Sequence, residues 1–248
     1  MSSLRRHSLA EQATEAIIEL IEQQKLRDGD SLPATAEIAE MLDVSVPVVR
    51  EAIAALAAIG LLKRQQGRET TVSIPDSSHM SRLLRLRTVG ADVDDERLQQ
   101  FREIVEVGNA SLAARFRTSV DLLALDDAME QLRSVRTTEE LHAADVAFHA
   151  AVSRATTNDL CELTLESLEP LLWRLRRRVW TGWVSAGGKL DSIIEAHSDI
   201  LEAIRAGEEG AAARAMAAHL AQARAGLETP VTQDHSFTGL NEQLLSAP

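Results

Sequence analysis

Read as a pattern of apolar and polar positions, the chain is dominated by a helical period. Over 8–26, Leu9, Ala13, Ala16, Ile17, Leu20 and Ile21 fall on one face, with polar residues between them. Ser8, with Glu11 three residues on, has the form of a capping box. Asp28-Gly29-Asp30 breaks the pattern. A shorter stripe of Ile38, Ala39 and Leu42 predicts a helix over 35–42, capped by Thr35. A tight turn at Asp43-Val44-Ser45 precedes a third helix over 45–59. Ser45 suits its N-cap, Pro47 lies in its first turn where the missing N–H costs little, and Gly60 follows its end.

The period then changes. Residues 61–64 and 70–74 are short strand-like runs around a turn at Gln66-Gly67-Arg68. Helix, helix, tight turn, helix and hairpin is the order of a winged helix-turn-helix, whose third helix reads a major groove. Pro75-Asp76-Ser77-Ser78 is a polar linker. Helical periodicity resumes and predicts helices near 79–87, 94–116, 119–133, 138–154, 158–182, 189–206 and 208–226. The expected fold class is therefore mainly α. A winged helix-turn-helix with a small β-hairpin spans 1–74, and a linker 75–78. An all-helical antiparallel bundle of about seven helices spans 79–227, and a polar, aperiodic tail at 228–248 is expected to be disordered.

Composition narrows the class. The 248 residues are 45% hydrophobic and 26% charged, which excludes wholesale disorder and fibrous repeats. A single cysteine, Cys161, excludes an intramolecular disulfide framework and a Cys-rich zinc site, and is expected to be a small buried hydrophobe. It fits a reducing, cytoplasmic compartment. The longest gently apolar run, 52–62, is far short of the ~18–20 residues that span a bilayer. Arg5 and Arg6 lead into no apolar segment, so neither a signal peptide nor a membrane partner is expected.

The net charge of −12 opposes non-specific binding to nucleic acid. Even residues 1–78 hold eight Lys/Arg against twelve Asp/Glu. The basic residues nevertheless collect where DNA would lie: Arg5 and Arg6 at the start, Arg50 on the third helix, and Lys63, Arg64 and Arg68 at the wing. Local potential at a docking face outweighs net charge.

In the helical part, Asp145 and His149 stand four apart and share a helix face. His197 lies on the penultimate helix and His219 on the last. One carboxylate and three imidazoles suit a divalent transition ion such as Zn²⁺, Ni²⁺ or Mn²⁺. Spacing alone fits equally a His149 packed with Phe148 and two unrelated histidines on amphipathic helices.

Two resemblances bear on these alternatives. Asp28-Gly29-Asp30-Ser31-Leu32-Pro33, Glu37-Ile38-Ala39, Val44-Ser45, Val48-Val49-Arg50-Glu51-Ala52 and Gly60-Leu61-Leu62, in that order, resemble the GntR family of bacterial transcription regulators. The resemblance implies that Arg50 contacts DNA, with Ser45 at the start of the same helix in the set expected to face it. The chain departs from the family at Val46 and Ala36, where arginine is usual or frequent, and at Glu69, near which a wing glycine is common. An unusual operator sequence, weakened binding and marked salt dependence are expected.

Asp145-Val146-Ala147-Phe148-His149, the run from His197 to Ile204, then Gly207, Ala211, Met216, His219 and Leu220, together with Arg102-Glu103-Ile104-Val105-Glu106, resemble the FCD effector-binding domain of the FadR subfamily. That resemblance implies a pocket floored by a metal held by Asp145, His149, His197 and His219. It also implies that Arg102 faces the carboxylate of a small organic acid effector. The alternative for Arg102 is a surface pair with Glu106 one turn away. His142 would orient a ligand or face solvent, Asn158 would cap a helix, and Trp173 and Trp180 would pack in a core or dimer interface.

The expected function is a homodimeric repressor that binds a pseudo-palindromic operator and responds to the acid. A regulator for which the ion itself is the signal is the alternative. A metal-dependent hydrolase or lyase is the remote one, since the sequence shows no separate base beside the ligands.

Overall fold

The computed structural model describes residues 8–64, 69–91 and 94–228. The chain divides into two compact units, with the division after Met80.

In the first unit, α1 (Leu9–Gln24) opens with the capping box of the sequence pattern: Glu11 N–H donates to Ser8 Oγ at 3.1 Å and Ser8 N–H to Glu11 Oε2 at 2.7 Å. It buries Ala13, Ile17 and Ile21, while Leu9, read as part of the same face, is exposed. The second helix, α2 (Thr35–Met41), is capped by Ala34 rather than Thr35. Glu37 accepts the Ala34 N–H at 2.9 Å, the reach-back half of a capping box without the hydroxyl half.

Helix α3 (Val46–Ala58) buries Val49, Ala52, Ile53 and Leu56, a stripe that turns Arg50 outward. Ser45 is its N-cap but makes no side-chain cap bond. Gly60, at φ +84°, closes the helix, with Leu61 N–H donating to Leu56 O at 3.0 Å and Gly60 N–H to Ala57 O at 3.1 Å. A Cβ on Gly60 would run into the His79 ring. Strands β1 (Leu62–Lys63) and β2 (Thr71–Val72) pair antiparallel, and Ser31 adds a bridge to Thr71.

The second unit is helical. Helix α4 (Ser77–Ala91) runs across the division. It is followed by α5 (Asp95–Phe116), α6 (Ser119–Ser134), α7 (Thr138–Arg154), α8 (Asp159–Ser185), α9 (Leu190–Ala206) and α10 (Glu209–Glu228). Several boundaries have a local cause. Asp94 caps α5, Thr118 with Asp121 and Thr137 with Glu140 form capping boxes, and Gly207 at φ +77° ends α9. Asn158 caps α8 through Oδ1, which accepts the Leu160 N–H at 3.1 Å.

Helix α10 packs against α5, α8 and α9. Its crossing with α8 is backbone to backbone, because Gly182 meets Gly226 with no room for a Cβ on either. That approach sets Trp180 and Trp183 of α8 beside His219, Gln222 and Ala223 of α10. Cys161 is half-buried rather than buried.

Candidate metal centre

Helix α5 departs from the usual pattern of a buried helix face. Alongside Ala110, Ala113 and Ala114 it buries Gln99, Arg102, Glu106 and Asn109, a polar seam at spacings of three and four. Buried polar groups require partners, so such a seam marks a site.

The site lies where α7, α9 and α10 meet that seam. Asp145, His149, His197 and His219 are all buried, and one ligand atom from each lies within 4.8 Å of the others. Donors about 2.1 Å from an ion stand up to about 4.2 Å apart across it, so a small contraction would close the set. The His197 and His219 ring centroids are 4.3 Å apart, and Phe148 packs edge-on against His197 at 4.9 Å. Packing with Phe148 and a shared cluster therefore coexist.

The chemistry of the donors tests the fit. A carbonyl can only accept, so His197 donates from Nδ1 to Ile193 O at 2.8 Å. Its Nε2 then carries a lone pair in the neutral ring. That atom has no hydrogen-bond partner and faces Asp145 Oδ1 at 3.2 Å. Two acceptors facing one another in a buried site suit a cation between them. The His219 Nδ1 likewise has no partner.

Around this set stand groups that the motifs had not assigned. The Glu106 Oε2 forms a close ion pair with His149 Nδ1, without hydrogen-bond geometry, and Oε1 accepts from Arg102 Nε. Nδ1 of His149 is thus turned to a carboxylate while Nε2 faces Asp145 Oδ1 at 3.6 Å. Arg102 is not a surface residue: it is 3% exposed, paired with Glu106, and its Nη2 lies 3.3 Å from His149 Nε2. Glu106 is therefore a carboxylate beside the ligands, correcting the expectation that none stands there, but it is committed to Arg102 and His149. Arg176, among the arginines of α8, is the one that turns inward. It is 1% exposed, and its Nη1 bonds Asp145 Oδ2.

These pairings set the electrostatics. Burial disfavours charge on Asp145, yet Arg176 and His149 hold its carboxyl well below the ordinary range. Glu106 is lowered likewise, with Arg102 and His149 outweighing burial. Burial opposes an imidazolium at His149, but Glu106 and Asp145 together raise its pKa. His219 is lowered well below 6.5 by burial and by its histidine neighbours, which leaves it neutral.

A cavity of about 380 Å³, counted to its open mouth, reaches Asp145 and His219. Arg102, Arg176, Trp180, Trp183 and Gln222 also line it. His142 lies outside the ligand set: it is half-buried, edge-on to Trp173 with ring centroids 6.1 Å apart, and Nε2 is 3.8 Å from Glu169. Trp173 is 45% exposed, with Arg177 over its ring, so only Trp180 of that pair is in the interior of this unit.

On the first unit, Ser45, Arg50, Lys63 and Arg64 are all exposed. Arg68, Arg5, Arg6 and the tail from 229 lie outside the described residues. Among the described residues, no helix is long and apolar enough to cross a membrane.

Comparison with known proteins agrees with both units. Residues 9–72 match the family described as bacterial regulatory proteins, gntR family, and residues 97–222 match the FCD domain. The chain is 34% identical over 203 residues to the HTH-type transcriptional regulator LutR of Bacillus subtilis, covering 81% of this chain and 93% of that protein. It is 31% identical over 219 residues to the Uxu operon regulator of Haemophilus influenzae, covering 85% and 79%. The solved structure of Streptococcus agalactiae GntR shares the fold, with a TM-score of 0.61 at 23% identity, over 87% of this chain and 98% of that one. These relatives are regulators of transcription rather than enzymes. The chain belongs to the GntR family, in the FadR-type subfamily with an FCD domain, and is a DNA-binding transcription regulator.

Proposed function

We propose that this regulator is a repressor whose hold on its operator is set by a small organic acid bound beside a divalent metal in the helical unit. The observation that carries this reading is the shared boundary of cluster and cavity: Asp145 and His219 belong to both, and two buried guanidinium groups line the same space. Asp145, His149, His197 and His219 would hold the ion; three nitrogens and one oxygen suit Zn²⁺, Ni²⁺ or Mn²⁺. The ion would supply a Lewis-acidic anchor for an anionic oxygen.

The protein's own groups do the rest. Glu106 and the Ile193 carbonyl fix the outward nitrogens of His149 and His197. Arg176 holds Asp145. Trp180 and Trp183 wall the cavity with apolar surface.

In the winged unit, read as residues 1–74, Arg50 on α3 would reach base edges, with Ser45, Lys63, Arg64 and Arg68 on phosphates. Two copies related by a two-fold axis would read a pseudo-palindromic operator, with residues 79–227 setting the separation of the winged units. For the acid to relieve repression it must bind the DNA-free form more tightly than the bound form.

The test is operator binding by metal-loaded protein across a panel of small carboxylic acids. A hit that weakens DNA binding supports the reading. Strengthened DNA binding would make the protein an activator or a co-repressed regulator. A response to metal alone, with no acid effective, would make the ion the signal.

A further inference from the structure

Asp145, His149, His197 and His219 are buried, so an ion can reach them only by crossing a wall of the helical unit. The cavity beside them narrows the choice of wall. Of the residues lining it, all but Trp183 and Gln222 are buried, which places its mouth at those two side chains. Trp183 also lines a second, open cleft of about 830 Å³ at the turn between α8 and α9, together with Gly188, Lys189, Asp191, Ser192 and Glu195. Gln222 Nε2 donates to Ser192 Oγ of that cleft at 3.5 Å, the outer limit of a hydrogen bond. One indole and one long hydrogen bond thus stand between the inner cavity and the cleft.

The turn explains how the indole is seated. Gly187, at φ +82°, follows the end of α8, and Gly188 N–H donates to Trp183 O at 2.9 Å, the six-to-one bond of a Schellman close. The indole lies on Gly188, where no Cβ would fit. Its Nε1 is buried and has no acceptor. Packing alone holds the ring, so its rotation breaks no hydrogen bond. We propose that Trp183, with the Gln222–Ser192 pair, is the portal through which the ion reaches its ligands from the cleft at the α8–α9 turn. Trp183 then sets how fast the site loads and empties. The inference rests on the metal-binding reading above. Asp191 and Glu195 against Lys189 leave the cleft net negative, which favours approach of a divalent cation.

The test is stopped-flow binding of Co²⁺ to chelator-stripped, full-length protein, with release read after a Zn²⁺ chase, in wild type, Trp183→Ala, Gln222→Ala and Trp173→Ala. Equilibrium affinity and thermal melting are measured for each. Trp183→Ala should raise entry and exit alike by about 10-fold or more, a barrier lowered by about 1.4 kcal/mol. A portal alters the path and neither end state, so affinity for Co²⁺ should stay within about 3-fold. Gln222→Ala removes the long hydrogen bond and should raise both rates about 2- to 5-fold; it decides the matter should Trp183→Ala fail to fold. Trp173 stands on the same helix but lines neither space, and Trp173→Ala should leave both rates within about 2-fold. Faster exit with unchanged entry would make Trp183 a support of the ligand set. Unchanged rates in both portal variants would place the route elsewhere, and equal acceleration in Trp173→Ala would mark general loosening. Each of these overturns the portal and leaves the metal reading standing. Wild-type protein that binds no Co²⁺ overturns both.

Discussion

Nε2 of His197 faces Oδ1 of Asp145 at 3.2 Å in a buried cluster, and that nitrogen has no hydrogen-bond partner. The arrangement follows from one backbone contact, since Ile193 O takes the proton on Nδ1 and leaves the far nitrogen as a lone pair. His197→Ala should therefore lower metal affinity by more than the about 10- to 100-fold that loss of an outer partner costs. Elemental analysis after dialysis against a weak chelator reads this directly, and undiminished metal content would rule out this set as the ligands.

Glu106 is the outer partner of His149 and the counter-ion of Arg102. Glu106→Gln keeps the shape and removes the charge. Metal affinity should fall about 10- to 100-fold, measured by competition with a chromophoric chelator. An unchanged affinity would reduce Glu106 to a partner of Arg102 alone.

The same contacts give the metal-free protein a pH signature. His149 has its pKa raised above 6.5, with Glu106 and Asp145 overcoming burial, so its contribution is full below pH 6.5 and is lost as pH rises through the raised value. Glu106 is depressed below 4.5, with Arg102 and His149 overcoming burial, so its contribution is full above pH 4.5 and is lost as pH falls through the lowered value. These two groups favour the metal-free fold most between about pH 4.5 and 6.5. A bound ion takes the proton's place on His149, so the alkaline loss should vanish in metal-loaded protein. Tm measured against pH with and without metal checks it; parallel curves above pH 6.5 would contradict the site.

Two glycines should respond in opposite directions. Gly108 in α5 has open space around an added Cβ, so Gly108→Ala should stabilise by about 0.5–1 kcal/mol. Gly182 meets the backbone of Gly226, which cannot swing aside, so Gly182→Ala should destabilise by about 1–3 kcal/mol despite its better helix propensity. It should also disturb the cavity wall at Trp180 and Trp183. Urea unfolding compares the pair.

In the winged unit, Arg50→Ala should abolish specific DNA binding while leaving metal content intact, as read by gel shift and elemental analysis. Retained specificity would show that α3 is not the reader.

What the sequence disclosed was local. Ser8 with Glu11 and Gly60 after α3 are punctuation that acts within a turn, and these helices begin and end close to where it places them. Asp145 and His149 share a face by spacing alone, whereas His197 and His219 joined them on ligand chemistry, which spacing left open and the family resemblance favoured. Glu106 and Arg176 were hidden for a physical reason. A charged residue on a helix reads as solvent-facing, and only the packing of α5 against α7 and α10 buries that side. Arg176 stands in a run with Arg174, Arg177 and Arg178, and the crossing of α8 with its neighbours selects the one that turns inward. A polar residue recurring at helical spacing, as at Gln99, Arg102, Glu106 and Asn109, was the signal that could have exposed the seam.

The most direct test of the account is operator affinity of the full-length protein in three states: chelator-stripped, metal-loaded, and metal-loaded with a binding carboxylic acid. The account predicts that the acid changes affinity at least about 5-fold, the lower range of allosteric couplings, and only when metal is present. The same change in stripped protein, or none in loaded protein with acid bound, would contradict it.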